Sequence, residues 1–330
     1  MSTVVIITVI IALSFDFLNG MNDAANSIAT VVSTKVLPPL LAVIWAAFFN
    51  FAAFFIFGVH VATTIGTGIV DPSIINEYIV LGGLLGAVLW VYLCTAFGFP
   101  ISVSHAIIGG LIGPSLIAGG TKVIIASGLI KVLLFIFLSP LIGVVLGYIF
   151  MIIIMYLFRK QPPRNVDNIF KRLQLLSSAV FSLGHGSNDA QKTIGMISVL
   201  LYSTGFLGPE FYVPFWVAIS CYIVIALGTL AGGWRVIKTL GLGLTHLKPV
   251  HGFCAEVSGA LSIIGSTLAG IPVSTTHTIT GAIMGVGMTK RLSAVRWGVA
   301  FNIVMAWILT IPGTILAGGL FYLLLLAILQ

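Results

Sequence analysis

Apolar stretches of about twenty residues, each long enough to cross a bilayer core as a helix, follow one another along almost the whole chain. In lipid every backbone N–H and C=O must find a partner within the protein, which leaves helices or closed barrels as the only spanning forms. The runs here are continuous rather than alternating, so the expectation is an all-α polytopic membrane protein. Composition agrees: 59% of the 330 residues are hydrophobic and 7% charged, against roughly 25% charged in soluble domains. The formal charge of +7 is no nucleic-acid signal, because many of the basic residues fall between spans, where they report topology. Cys94, Cys221 and Cys254 lie within or beside apolar stretches without metal-ligand spacing, and read as free, buried thiols. The N-terminus lacks a basic region and a cleavage site, so residues 4–18 read as a retained first span rather than a signal peptide.

Spans are expected at about 4–30, 38–60, 78–98, 123–139 and 140–158, and again at about 173–198, 212–233, 250–270, 293–311 and 312–329. Between the third and fourth of each set lies a shorter stretch rich in Gly and Ser/Thr, "FPISVSHAIIGGLIG" at 99–113 and "IPVSTTHTITGAIMG" at 271–285. Each suits a re-entrant helical hairpin lining a protein-covered or water-filled cavity. The polar interruption "RKQPPRNVDNIFKRLQ", with five basic residues and one Asp, divides the chain into residues 1–158, a basic cytoplasmic linker at 159–172, and residues 173–330. Five crossings per half then give the halves opposite orientations and place both termini outside. Lys290, Arg291 and Arg296 fall on the outer side and run against that scheme.

The halves repeat each other. Asn22-Asp23-Ala24 returns as Asn188-Asp189-Ala190, 166 residues on. Pro100, Ser102, Ser104, His105 and Gly109 return as Pro272, Ser274, Thr276, His277 and Gly281, 172 residues on. Inverted repeats with interrupted segments at matching places mark a secondary transporter with its site at the repeat interface.

Charge inside a bilayer costs about 2.5–3.5 kcal/mol per residue on insertion scales and usually serves function. Asp23 and Asp189, with Asn22, Asn26, Asn188 and Gln191 nearby, offer the oxygens that replace water around Na⁺; a proton could load the same carboxylates. The alternative is that they merely cap a broken helix. Ser102, Ser104, Ser274, Thr275 and Thr276 follow Pro100 or Pro272, so a helix starting there would present hydroxyls and free N–H groups to an oxyanion. Back-bonding to helix carbonyls is the competing role. His105 and His277 either donate to the anion or pack. Lys192 either pairs with Asp189 or the substrate, or snorkels to the interface. Glu256, inside the eighth span, reads as a cation or proton site, and Asp16 shares a helix face with Asp23. The glycines of "GGLIG" and "GAIMG" read as close-packing positions.

These motifs resemble the signatures of the inorganic phosphate transporter family: "GMNDAANS" at 20–27, "GSNDAQKT" at 186–193, Pro-x-Ser-x-Ser/Thr-His at 100–105 and 272–277, and "GFCAE" at 252–256. The resemblance runs from about residue 14 to 288. It implies ten spans with two re-entrant hairpins, a homodimer in the prokaryotic plasma membrane, and import of phosphate with Na⁺ or H⁺, Na⁺ being favoured. It implies phosphate contacts at Ser102, Ser104, His105, Gln191, Ser274, Thr275, Thr276 and His277. It implies coupling-cation contacts at Asn22, Asp23, Asn26, Asn188, Asp189 and Glu256, with Asp23 and Asp189 as the Na⁺ ligands. No cofactor beyond the coupling ion is expected. Some family members carry a glutamate where this chain has Asn50, and a large central domain that is absent here. The runner-up is a sulfate permease of the same fold. An intramembrane hydrolase built on Ser187 or Ser104 with a histidine, and an ion channel, fit the duplicated polar residues less well.

Overall fold

Ser2 accepts from the Val5 amide at 3.3 Å and opens the first helix of a chain that is helical almost throughout. The computed structural model describes residues 2–329, and twelve α-helices lie among them. The first half contributes α1 Thr3–Ser33, α2 Pro39–Ala52, α3 His60–Thr67, α4 Glu77–Phe97, α5 Val103–Gly119 and α6 Ala126–Leu157. The second contributes α7 Pro163–Ser203, α8 Phe215–Ala231, α9 Trp234–Gly243, α10 Pro249–Leu268, α11 Thr275–Met288 and α12 Trp297–Leu329. Helix for helix, the second six follow the order of the first.

Several expected boundaries move. The spans read at 123–139 and 140–158 are one helix, α6, running through Pro140, and those at 293–311 and 312–329 are one helix, α12, running through Pro312. Proline deletes one helical hydrogen bond. In lipid the rest of the ladder has no water to turn to, so each helix runs on past its proline. At 32 residues α6 extends roughly 48 Å, well beyond a hydrocarbon core of about 30 Å. The span read at 38–60 breaks instead, with α3 turned 82° from α2, and α9 turns 73° from α8 in the matching place. Four helices, α1, α4, α6 and α12, are individually long and apolar enough to cross, and the two bent pairs bring the number to six among the described residues. The polar α7 and α10 are not among them. The basic stretch after Arg159 becomes helical at Pro163 and continues into α7 without a break.

The segments at 99–113 and 271–285 each enter extended and then become helix. Gly98 and Gly270 take left-handed φ of +79° and +67°, which only glycine adopts freely. The residue before each proline is pushed out of the helical region, and Ser102 or Ser274 then caps the helix that follows. α4 packs back on α5, and α10 on α11.

The halves interlock: α5 of the first lies against α12 of the second, and α11 against α6. Glycine sets these distances. A Cβ on Gly113 would lie 2.2 Å from the Ile315 carbonyl oxygen, and one on Gly281 2.2 Å from that of Pro140, as the close-packing reading expects. The outer face of α6 is the reverse of a soluble protein's, with Ile130, Leu134, Phe137 and Leu141 more than half exposed and suited to lipid tails.

Candidate substrate and cation site

α1 and α7 run unbroken through Asp23 and Asp189. Capping therefore does not explain the two aspartates; the caps are Ser102 and Ser274, which accept from the His105 and His277 amides at 3.3 and 3.2 Å. The aspartates turn instead toward the start of α11. Thr275 Oγ1 lies 3.3 Å from Asp23 Oδ2 and 3.2 Å from Asp189 Oδ2, and Thr276 Oγ1 lies 3.4 Å from Asp23 Oδ1. Asn26 Nδ2 donates to both threonine hydroxyls, at 3.2 and 3.0 Å. Thr275 has one proton and faces two carboxylate oxygens, so the second oxygen requires a proton or cation from elsewhere. Asp23 is 2% exposed and Asp189 1%, which makes that requirement costly to leave unmet.

His185, one turn before Asp189, closes the same space. Thr229 donates its hydroxyl to the Ile225 carbonyl at 2.9 Å and so accepts from Asn50 Nδ2, also at 2.9 Å. That turns Asn50 Oδ1 toward His185 Nδ1 at 3.1 Å, and Nδ1 carries the proton. In a neutral ring Nε2 then aims a lone pair at Asp189 Oδ2, 3.2 Å away. Ligand atoms of Asp23, His185 and Asp189 lie within 4.8 Å of one another. Nitrogen and carboxylate lone pairs converging this closely repel unless a positive charge sits among them.

On the second side, Lys192 does not snorkel. It is 2% exposed, and its Nζ donates to Asp189 Oδ1, to Ser104 Oγ and, at 2.9 Å, to the Val273 carbonyl. The starts of α5 and α11 meet: the His105 and His277 rings pack edge to face with centroids 4.8 Å apart, and His277 stacks on Trp307 at 3.6 Å. The two histidines thus hold the helix starts together. The opening amides of both helices carry partial positive charge toward a region walled by Asp23, Asp189 and Lys192.

Three other expected residues sit apart. Gln191 turns to the start of α3, accepting from the Val61 and Ala62 amides at 2.8 and 3.3 Å. Glu256 lies two turns further along α1, where Thr30 at 2.6 Å, Gln174 at 3.0 Å and Ser177 all donate to it. Asp16 accepts from Thr193 at 2.8 Å. Asn22 and Asn188 act as braces. Asn22 Nδ2 donates to Thr95 Oγ1 at 2.7 Å, and Asn188 Nδ2 to Thr267 Oγ1 at 3.0 Å. Thr95 and Thr267 escaped the sequence reading, although they stand at the same 172-residue offset as the serines. His185 and Asn50 had no such signal, since neither is duplicated. The Ser187 hydroxyl donates to the Gly184 carbonyl at 2.7 Å rather than to a histidine, so the hydrolase pair is not assembled.

A model of the phosphate transporter family matches residues 19–318. A probable low-affinity inorganic phosphate transporter of Rhizobium meliloti (strain 1021) is 56% identical over 312 residues, covering 94% of this chain and 93% of that protein. One of Bacillus subtilis (strain 168) is 39% identical over 97% of this chain and 96% of its own length. A solved structure described as the sodium-dependent phosphate transporter superposes with a TM-score of 0.88 at 28% identity, covering 99% of this chain and 100% of that one.

Proposed function

From membership of the phosphate transporter family, to which this chain belongs, we propose that it imports inorganic phosphate with a coupling cation by alternating access. The chain is a membrane transporter of phosphate and not an enzyme. In this reading phosphate lies against the starts of α5 and α11, with the opening amides as donors and the Ser104, Thr275 and Thr276 hydroxyls turning to it once a cation takes their place at the carboxylates, and His105 and His277 fixing the two helices. Asp23 and Asp189, supported by Asn26 and His185, hold the cation. Asn22 and Asn188 brace them through Thr95 and Thr267, and Glu256 with its three donors forms a separate, secondary polar centre. Na⁺ is the favoured ion, because carboxylate and hydroxyl oxygens make up most of the donor set and because the 28% identical neighbour is described as sodium-dependent.

The observation that carries the reading is the shared Thr275 proton between two buried carboxylates. Two like charges about 5 Å apart repel by about 3 kcal/mol at an effective dielectric of about 20. Lys192 offsets Asp189, so the penalty falls on Asp23: ionised and without a cation, it would weaken phosphate binding by roughly a hundredfold, and a bound cation removes that penalty. Coupling follows from electrostatics, because neither ion is stable in the site without the other. The same reading has the halves inverted in the plasma membrane, each crossing three times, by α1, the α2–α3 pair and α6 or their counterparts, with the segments at 99–113 and 271–285 completing re-entrant hairpins with α4 and α10, both termini outside, and two copies paired as a homodimer. Labelled phosphate uptake into proteoliposomes tests it, under Na⁺ or pH gradients with sulfate as competitor. Accumulation against the phosphate gradient in a cation gradient, resistant to sulfate, is expected; uptake that only equilibrates phosphate rejects it.

A further inference from the structure

The two halves of the site differ at one position. Three residues after each aspartate, on the same helix face, α1 carries Asn26 and α7 carries Lys192. Their contacts correspond. Asn26 Nδ2 donates to Thr276 Oγ1 at 3.0 Å, and Lys192 Nζ donates to Ser104 Oγ; Ser104 and Thr276 are equivalent across the repeat. The difference is charge. Lys192 brings its own positive charge to Asp189 Oδ1 and completes its shell with the Val273 carbonyl at 2.9 Å. A carboxylate, a hydroxyl and a main-chain carbonyl around one cationic centre is a set of ligands that a small alkali cation would also take. In the first half the equivalent residues are Asp23, Thr276 and Ile101, with the neutral Asn26 in place of the lysine.

We infer that Lys192 is a tethered cation filling one of two repeat-related cation positions permanently, so that this transporter carries one mobile cation fewer than a chain with Asn in both places. The inference rests on the proposed cation role of the aspartates and adds a determinant of stoichiometry. Lys192 cannot leave with the substrate, because it is bonded to α7. Its charge neutralises Asp189 in every state that keeps those contacts, whereas the Asp23 side must be refilled from solution in each cycle.

The test is the net charge moved per phosphate, read from electrogenic currents and labelled phosphate uptake in the same proteoliposomes. Wild type is compared with Lys192→Asn, which copies the first half, and with the reciprocal Asn26→Lys. Lys192→Asn is expected to move one more positive charge per phosphate and to show a steeper dependence on cation concentration. Asn26→Lys is expected to move one fewer. Unchanged charge per phosphate in a transporting Lys192→Asn variant overturns the inference, and a raised KM for phosphate alone would make Lys192 a phosphate ligand instead. Should Lys192→Asn fold but not transport, ²²Na⁺ binding to the purified variant decides: one additional Na⁺ per chain supports the tether, and an unchanged number rejects it. If Lys192→Asn does not fold, Lys192→Gln replaces it in both measurements. A wild type that takes up phosphate without any cation gradient would reject the parent reading, while the ²²Na⁺ comparison would still judge the tether.

Discussion

Thr275 is the residue on which the site turns, since its single hydroxyl stands between Asp23 and Asp189. Hydrogen bonds to charged groups contribute about 1.5–3 kcal/mol. Thr275→Val should therefore reduce phosphate uptake roughly 10- to 100-fold, while Thr275→Ser, which keeps the hydroxyl, should retain most of it. Comparing initial uptake rates of the two variants checks this; equal loss in both would assign Thr275 to packing. Asn50 and Thr229 act one step further out, by fixing which nitrogen of His185 is protonated. Thr229→Val frees the Asn50 amide to flip, and is expected to raise the cation concentration needed for half-maximal uptake more than it lowers the maximum. The aspartates, the hydroxyls and the capping serines were legible in the sequence because each is written twice. His185, Asn50 and Lys192 were legible only as polar residues in apolar surroundings, because each stands in one half and its partner is set by packing between helices far apart in sequence.

Among the elements, the short helices α5 and α11 matter most, because each brings its first turn to the site while lying on the other half's long helix. The glycines between them leave no room for side chains. Gly113→Val would force a β-branched group against the Ile315 carbonyl of α12, and overpacking of this kind costs about 1–3 kcal/mol. Gly265, in α10, has open space where its Cβ would lie, and Gly265→Ala should be neutral or stabilising by up to about 1 kcal/mol. Thermal unfolding in detergent should separate them, with a melting temperature lower by several degrees in the first and unchanged or higher in the second. The helix starts at Val103 and Thr275 were readable from glycine, proline and serine in fixed order. The continuity of α6 and α12 was not, because an interior proline ordinarily kinks or breaks a helix, whereas both helices run on through Pro140 and Pro312. The bends after α2 and α8 were missed for a related reason: hydropathy records that a segment is apolar, not that its direction changes within it.

At the scale of the whole molecule, the halves exchange their short helices, so the site exists only where both meet. Asp23 comes from the first half while Thr275, Asp189 and Lys192 come from the second. The duplication was visible in the sequence, but this exchange was not, because repeat spacing says which residues correspond and not which ones touch. Not everything is duplicated: Glu256 and Asp16 have Leu84 and Ser182 at the matching positions, which makes the two halves unequal in charge as well as in the lysine. Glu256→Gln keeps a polar side chain among Thr30, Gln174 and Ser177 while removing the charge. In the cation-coupled reading it lowers cation affinity without abolishing phosphate binding, which separate titrations of the two ions would show.

The central claim is that phosphate crosses only together with a cation held at Asp23 and Asp189. Its most direct test is labelled phosphate accumulation in proteoliposomes with equal phosphate on both sides and an imposed cation gradient. The account predicts accumulation by the wild type and none beyond equilibration in both Asp23→Asn and Asp189→Asn, with each variant still inserted and folded. Accumulation at near wild-type rates in both variants would contradict it.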